Sequence, residues 1–102
     1  MDSAEFTWVV PVEHPAFAGH FPARPIVPGV VLLDQALVLA ARLHGVPATA
    51  GWQVAQAKFF VPVGPGAVLR FALQVTPRGA IGFRVICDGR DVASGNLVPL
   101  AP

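Results

Sequence analysis

Only one stretch of this 102-residue chain reads as a substantial helix, and it has almost no polar side. Residues 29–44 are rich in Leu and Ala, with Gln35 and Arg42 in support, and Gly45 and Pro47 stop them. From Val30 to Ala41 only Asp34 and Gln35 interrupt the apolar surface. A helix without a polar face has to be buried. The rest of the chain offers strands at 4–12, 51–61, 67–76, 80–87 and 90–100. In 67–76, Leu69, Phe71, Leu73 and Val75 fall on one side and Arg70 and Gln74 on the other, the period of a half-buried strand. Pro62 with Gly64-Pro65-Gly66 makes one turn, Pro77-Arg78-Gly79 a second, and Asp88-Gly89 a tight hairpin. A buried helix followed by an antiparallel meander predicts an α+β fold with the sheet wrapped round the helix.

The length suits a single domain over 1–102. A domain of this size buries only roughly two-thirds of its unfolded surface. The chain is 54% hydrophobic and 13% charged, more apolar surface than such a monomer can hide, so a large interface with a second copy is expected. Net charge is +1 and no segment gathers Lys and Arg, which excludes the basic stripe of a nucleic-acid binder. No run reaches the ~18 apolar residues of a membrane span. The N-terminus, Met-Asp-Ser-Ala-Glu, lacks the basic start and apolar core of a signal peptide. Cys87 is the single cysteine, so no intramolecular disulfide can form, and it is read as core. A cytoplasmic protein is expected.

The chemistry gathers in and after the loop 13–28, which Pro15, Pro22, Pro25 and Pro28 stiffen. Long ordered loops in compact domains are often functional. His20 is held there between Gly19 and Phe21-Pro22, and imidazole is the natural base near neutral pH. Asp34 follows 14 positions later and is the only ionisable residue between Arg24 and Arg42. It is either a solvated or ion-paired anchor or, if buried among Leu32, Leu33 and Leu37, a carboxylic acid able to donate a proton. Pro28-Gly29 is either a plain helix start or a cradle of first-turn N–H donors, where the missing side chain of Gly29 lets a carbonyl come close. His14 reads as structural, as does His44 at the helix C-terminus. His14, His20 and Asp34 match no standard metal-ligand spacing, so neither a metal nor another cofactor is expected. Ser3 and Ser94 are the only serines, and neither sits in a nucleophile elbow.

The span His20-Phe21-Pro22-Ala23-Arg24-Pro25-Ile26-Val27-Pro28-Gly29-Val30, followed by Asp34, resembles the signature of the hot-dog 3-hydroxyacyl-acyl-carrier-protein dehydratases. Lys58-Phe59-Phe60-Val61-Pro62-Val63 with Pro65-Gly66 resembles their strand and turn after the helix, and Asp88-Gly89-Arg90 their last hairpin. The resemblance implies a hot-dog fold and a homodimer with active sites shared between copies. It implies dehydration of a 3-hydroxyacyl thioester, on acyl carrier protein or coenzyme A, to the trans-2-enoyl thioester, in fatty acid or related acyl and polyene biosynthesis. His20 would take the C2 proton, Asp34 of the other copy would protonate the leaving hydroxyl, and the Gly29 N–H would polarise the thioester carbonyl. Arg24, and by charge sign Arg70, Arg84 or Lys58, could meet an acidic carrier protein. Departures are Asp34 where one branch has Glu, Ala23 for Gly, the absence of tyrosine, and Val38 where a glutamine usually stands four places after the acid. A hot-dog thioesterase and a non-catalytic acyl-binding or assembly subunit are the alternatives.

Overall fold

The computed structural model describes residues 3–13, 26–45 and 51–100. Five antiparallel strands form one sheet: β1 (Ser3–Val9), β2 (Trp52–Phe59), β3 (Val68–Val75), β4 (Ile81–Cys87) and β5 (Arg90–Pro99). The single helix α1 (Gly29–His44) falls between β1 and β2 in the chain. The sheet order is β1-β3-β4-β5-β2. Only β3, β4 and β5 form the expected meander. The connection through α1 carries the chain from one edge of the sheet to the other, so β1 and β2 are both edge strands.

Each strand is shorter than the sequence pattern predicts by a residue or a few at one or both ends. Proline explains two of the cuts, because it cannot donate to a ladder. β1 stops at Val9, two residues before Pro11, and β2 stops at Phe59, before Pro62. The alternation in β3 holds: Leu69, Phe71 and Leu73 are buried, while Arg70 and Gln74 face solvent. Asp88 and Gly89 both have positive φ (52° and 75°), the backbone of a type I′ hairpin turn, and Cys87 pairs with Arg90 across it.

Helix α1 lies on one face of the sheet. Leu32, Ala36, Leu39 and Ala40 are buried against Leu69, Phe71, Leu73, Ile81, Phe83, Val85, Ala93 and Leu97. The helical positions recur every three or four residues, so they form one stripe. Among the described residues no polar or charged side chain is buried. Gly45 takes the left-handed conformation just past the helix and donates its N–H to the Ala41 carbonyl. The Arg42 guanidinium lies 5.9 Å from the centre of the Phe6 ring, tying the last turn of α1 to β1.

One close approach fixes the β5–β2 edge. Phe83 pairs with Gly95 on the helix-facing side, and its ring spreads over the glycine. A Cβ on residue 95 would lie 2.7 Å from Phe83 Cε1 and closer still to the Gln56 carbonyl oxygen. Gly95→Ala is therefore expected to destabilise the protein by ~2 kcal/mol, read as a lower urea midpoint at unchanged slope.

Cys87 is partly buried against the core rather than fully inside it, because the hairpin begins at the next residue. Burial pushes its thiol pKa up, and the Asp88 carboxylate, which accepts from Sγ at 3.9 Å, adds to the rise. The thiolate fraction at neutral pH is correspondingly reduced. Alkylation of Cys87 by iodoacetamide should therefore be slower than that of free cysteine at pH 8 and climb only at higher pH. Asp88→Asn should speed it.

Candidate active site

The start of α1 is pinned before any side chain acts. The Val27 N–H donates to the Val63 carbonyl at 2.7 Å, fixing the chain just ahead of the helix to the turn after β2. On the other side, the Phe60 N–H donates to the Val92 carbonyl at 2.8 Å. Two backbone bonds thus hold the end of β2 and the start of α1 in register. Pro28 is the N-cap residue, with extended backbone (φ −61°, ψ 145°) and no capping side chain, and the first turn contains no acidic residue. The Val31 N–H reaches the Pro28 carbonyl at 3.0 Å, while those of Gly29 and Val30 find no backbone acceptor among the described residues. Donors of this kind at a helix start favour an oxygen carrying negative charge.

Gly29 lines a pocket of about 450 Å³ together with Ile26, Val27, Leu32 and the run Phe59–Val63. The lining is apolar apart from the backbone. Phe59 and Phe60 are 49% and 54% exposed, so the pocket opens to the surface on their side. A larger furrow of about 860 Å³ crosses the outer face of the sheet between Glu5, Gln74, Arg84, Asn96 and Lys58. It lies away from the helix start and lacks Gly29, so the pocket that Gly29 lines is the better candidate.

Of the two alternatives for Asp34, the single chain shows an exposed carboxylate rather than one sunk among Leu32, Leu33 and Leu37. Within one chain the sheet covers only one side of α1. The opposite side shows Val30, Asp34 and Val38 in a row, with Val30 61% and Val38 44% exposed. The all-round burial implied by the sequence is thus not met by the single chain. Its apolar residues belong to two different faces. Five positions along a helix turn the side chain by about 140°, so Asp34 points away from the pocket that holds Gly29, and it does not line that pocket.

His20 and Arg24 lie outside the described residues, as does His14. Of the other cations considered for a carrier protein, Arg70 pairs with Glu5 at 3.4 Å and Arg84 with Asp91 at 2.7 Å. Both are therefore taken up by carboxylates of the same chain. Lys58 is exposed on β2 beside Phe59. Sequence reasoning missed the opposition of Asp34 and Gly29 on the helix, although their spacing of five contains it. It also missed Phe59 as the neighbour of Gly29, since no local pattern joins residues thirty apart.

Comparison with known proteins bears on family and fold. Residues 1–96 match the family model described as ApeI-like, ApeI dehydratase. The chain is 33% identical over 100 residues to the 3-hydroxyacyl-[acyl-carrier-protein] dehydratase FabZ of Syntrophotalea carbinolica, an alignment covering 87% of this chain and 64% of that protein. It is 37% identical over 97 residues to the FabZ of a Jannaschia species, covering 86% of this chain and 60% of the relative. The chain thus spans less than two-thirds of the length of these two curated relatives. Among solved structures it resembles the dehydratase heterocomplex ApeI:P from Xenorhabdus doucetiae, with a TM-score of 0.78 at 25% identity, covering 95% of this chain and 86% of that one. The fold is that of the hot-dog dehydratases, an antiparallel sheet round one helix, as the sequence resemblance implied.

Proposed function

The chain belongs to the ApeI-like dehydratase family, and from that premise we propose that it dehydrates a 3-hydroxyacyl thioester to the trans-2-enoyl thioester, using active sites shared between two copies. The observation that carries the shared site is the opposition of Gly29 and Asp34 on α1. Gly29 lines the pocket of its own chain, whereas the only acid of that helix is exposed and does not line it. One chain therefore cannot aim both at the same substrate. A second copy laid over the Val30-Asp34-Val38 row would cover those valines and carry each Asp34 toward the other copy's pocket. Among the described residues β2 is an edge strand, where a neighbouring chain could extend the sheet.

In this reading the thioester carbonyl accepts from the Gly29 N–H. His20 removes the C2 proton, and negative charge develops on the carbonyl oxygen, where each preorganised donor is worth ~3 kcal/mol. The C3–O bond then breaks as the partner's Asp34 delivers its proton, so the hydroxyl leaves as water and a C2–C3 double bond remains. The acyl chain runs over Phe59, Phe60 and the apolar pocket wall. Acyl carrier protein is the favoured carrier, because the FabZ relatives are named for it. Coenzyme A is the other. Of the four cations considered, Arg24 and Lys58 are left to meet an acidic carrier, since Arg70 and Arg84 are paired within the chain. No cofactor enters the scheme. The single domain is taken to span 1–102 and to work in the cytoplasm.

A second reading of the assembly comes from the ApeI:P heterocomplex, in which the similar chain is part of a heterocomplex. In that reading the row on α1 meets a related but different dehydratase chain.

The assay is the ultraviolet absorbance of the enoyl thioester, followed from the 3-hydroxyacyl thioester or in the reverse direction. His20→Ala and Asp34→Asn are each expected to lower kcat by at least about 100-fold without loss of the thermal transition. Wild-type rates in either variant would overturn the assigned roles. Release of free thiol in place of enoyl product would identify a thioesterase.

The interface can be tested separately. Val38→Lys puts a charge on the exposed row of α1, away from the core, and should shift the protein toward monomer in sedimentation with its strand content intact. Activity should fall with the dimer, since each monomer would hold the base of one site and the acid of another.

A further inference from the structure

Among the described residues, the side chain nearest to a Cβ built on Gly29 comes from a strand. Phe59 is the last residue of β2, on the helix-facing side of the sheet, opposite Ala93. A Cβ built on Gly29 would lie 2.8 Å from its Cζ, 3.0 Å from Cε1 and 3.1 Å from Cε2. The end of the ring therefore rests against the Gly29 α-carbon. Gly29 has no positive φ, so backbone conformation does not demand glycine there. The ring does. Its position is fixed from behind, because the Phe60 N–H is bonded to the Val92 carbonyl and the Val27 N–H to the Val63 carbonyl.

Resting on the dehydratase reading above, we propose that Phe59 is a positioning residue that acts through the Gly29 N–H. The ring takes one flank of the first turn away from water, and a donor shielded in this way holds a charged oxygen more strongly than one in solvent. It also blocks approach to Gly29 from its own side. A thioester carbonyl has to enter along the remaining flank, which Ile26 and Val61 line. Glycine at 29 and phenylalanine at 59 are thus one device. A side chain at 29 would push the ring aside, and a smaller residue at 59 would leave the donor wet and the carbonyl free to tilt.

The test is steady-state kinetics on a 3-hydroxyacyl thioester for wild type, Phe59→Leu, Gly29→Ala and the double variant, with thermal melting as the check on folding. Phe59→Leu is expected to lower kcat by about tenfold while KM moves less than about twofold. Gly29→Ala is expected to cost about 100-fold. The double variant should be no worse than Gly29→Ala, because the ring that the new methyl displaces is already gone. Isotope-edited infrared spectra of a bound enoyl thioester add a readout that a plain wall would not move. The carbonyl stretch should be lowered in wild type and return toward its solution value in Phe59→Leu. A higher KM with wild-type kcat and carbonyl band in Phe59→Leu, or losses that simply multiply in the double variant, would overturn the positioning role and leave the dehydratase reading standing. A wild-type protein that turns over no 3-hydroxyacyl thioester would overturn that reading, and this inference with it.

Discussion

One-sided burial of α1 governs the rest of the molecule. The sheet takes Leu32, Ala36, Leu39 and Ala40 into the core and leaves Val30, Asp34 and Val38 facing out. Burying a valine contributes on the order of 1.5 kcal/mol or more, so two of them held in water favour a second chain. The same division separates the two kinds of chemistry on the helix. Gly29 at its start lines a pocket of its own chain, and its one carboxylate is exposed. Association and catalysis are thereby joined, since the surface that needs covering is the surface that carries the acid.

The pocket depends on backbone as much as on side chains. Bonds from Val27 to Val63 and from Phe60 to Val92 set the helix start beside the end of β2. Proline on both sides of these bonds, at 28 and 62, limits how far the backbone can wander. The uncapped first turn fits this account. A capping Ser, Asp or Glu would occupy the donors that a carbonyl needs, and Pro28 offers no such group.

Much of this was legible in the chain. The single helix was marked by its composition and its Gly45 stop, the β3 alternation by Leu69, Phe71 and Leu73, and the last hairpin by Asp88-Gly89. Strand order was not legible, because nothing local in β2 says that it crosses to the far edge. The helix looked buried on every side because periodicity cannot tell residues facing the chain's own sheet from residues facing another chain. For Gly29 and Asp34 the residue types were readable and their opposition was implicit in the spacing. The ring of Phe59 against Gly29 was out of reach, since it depends on how β2 and α1 meet in space. His20 and Arg24 rest on the motif, and Val38, where relatives of the signature carry an amide, is now seen to lie on the outward row.

The claim that two chains complete each site is tested most directly by mixing inactive variants. His20→Ala and Asp34→Asn proteins, unfolded together and refolded, should regain roughly a quarter of wild-type activity, since about half of the dimers would be mixed and each of those would hold one intact site. A mixture as inactive as its two components would place the base and the acid in the same chain and contradict the account.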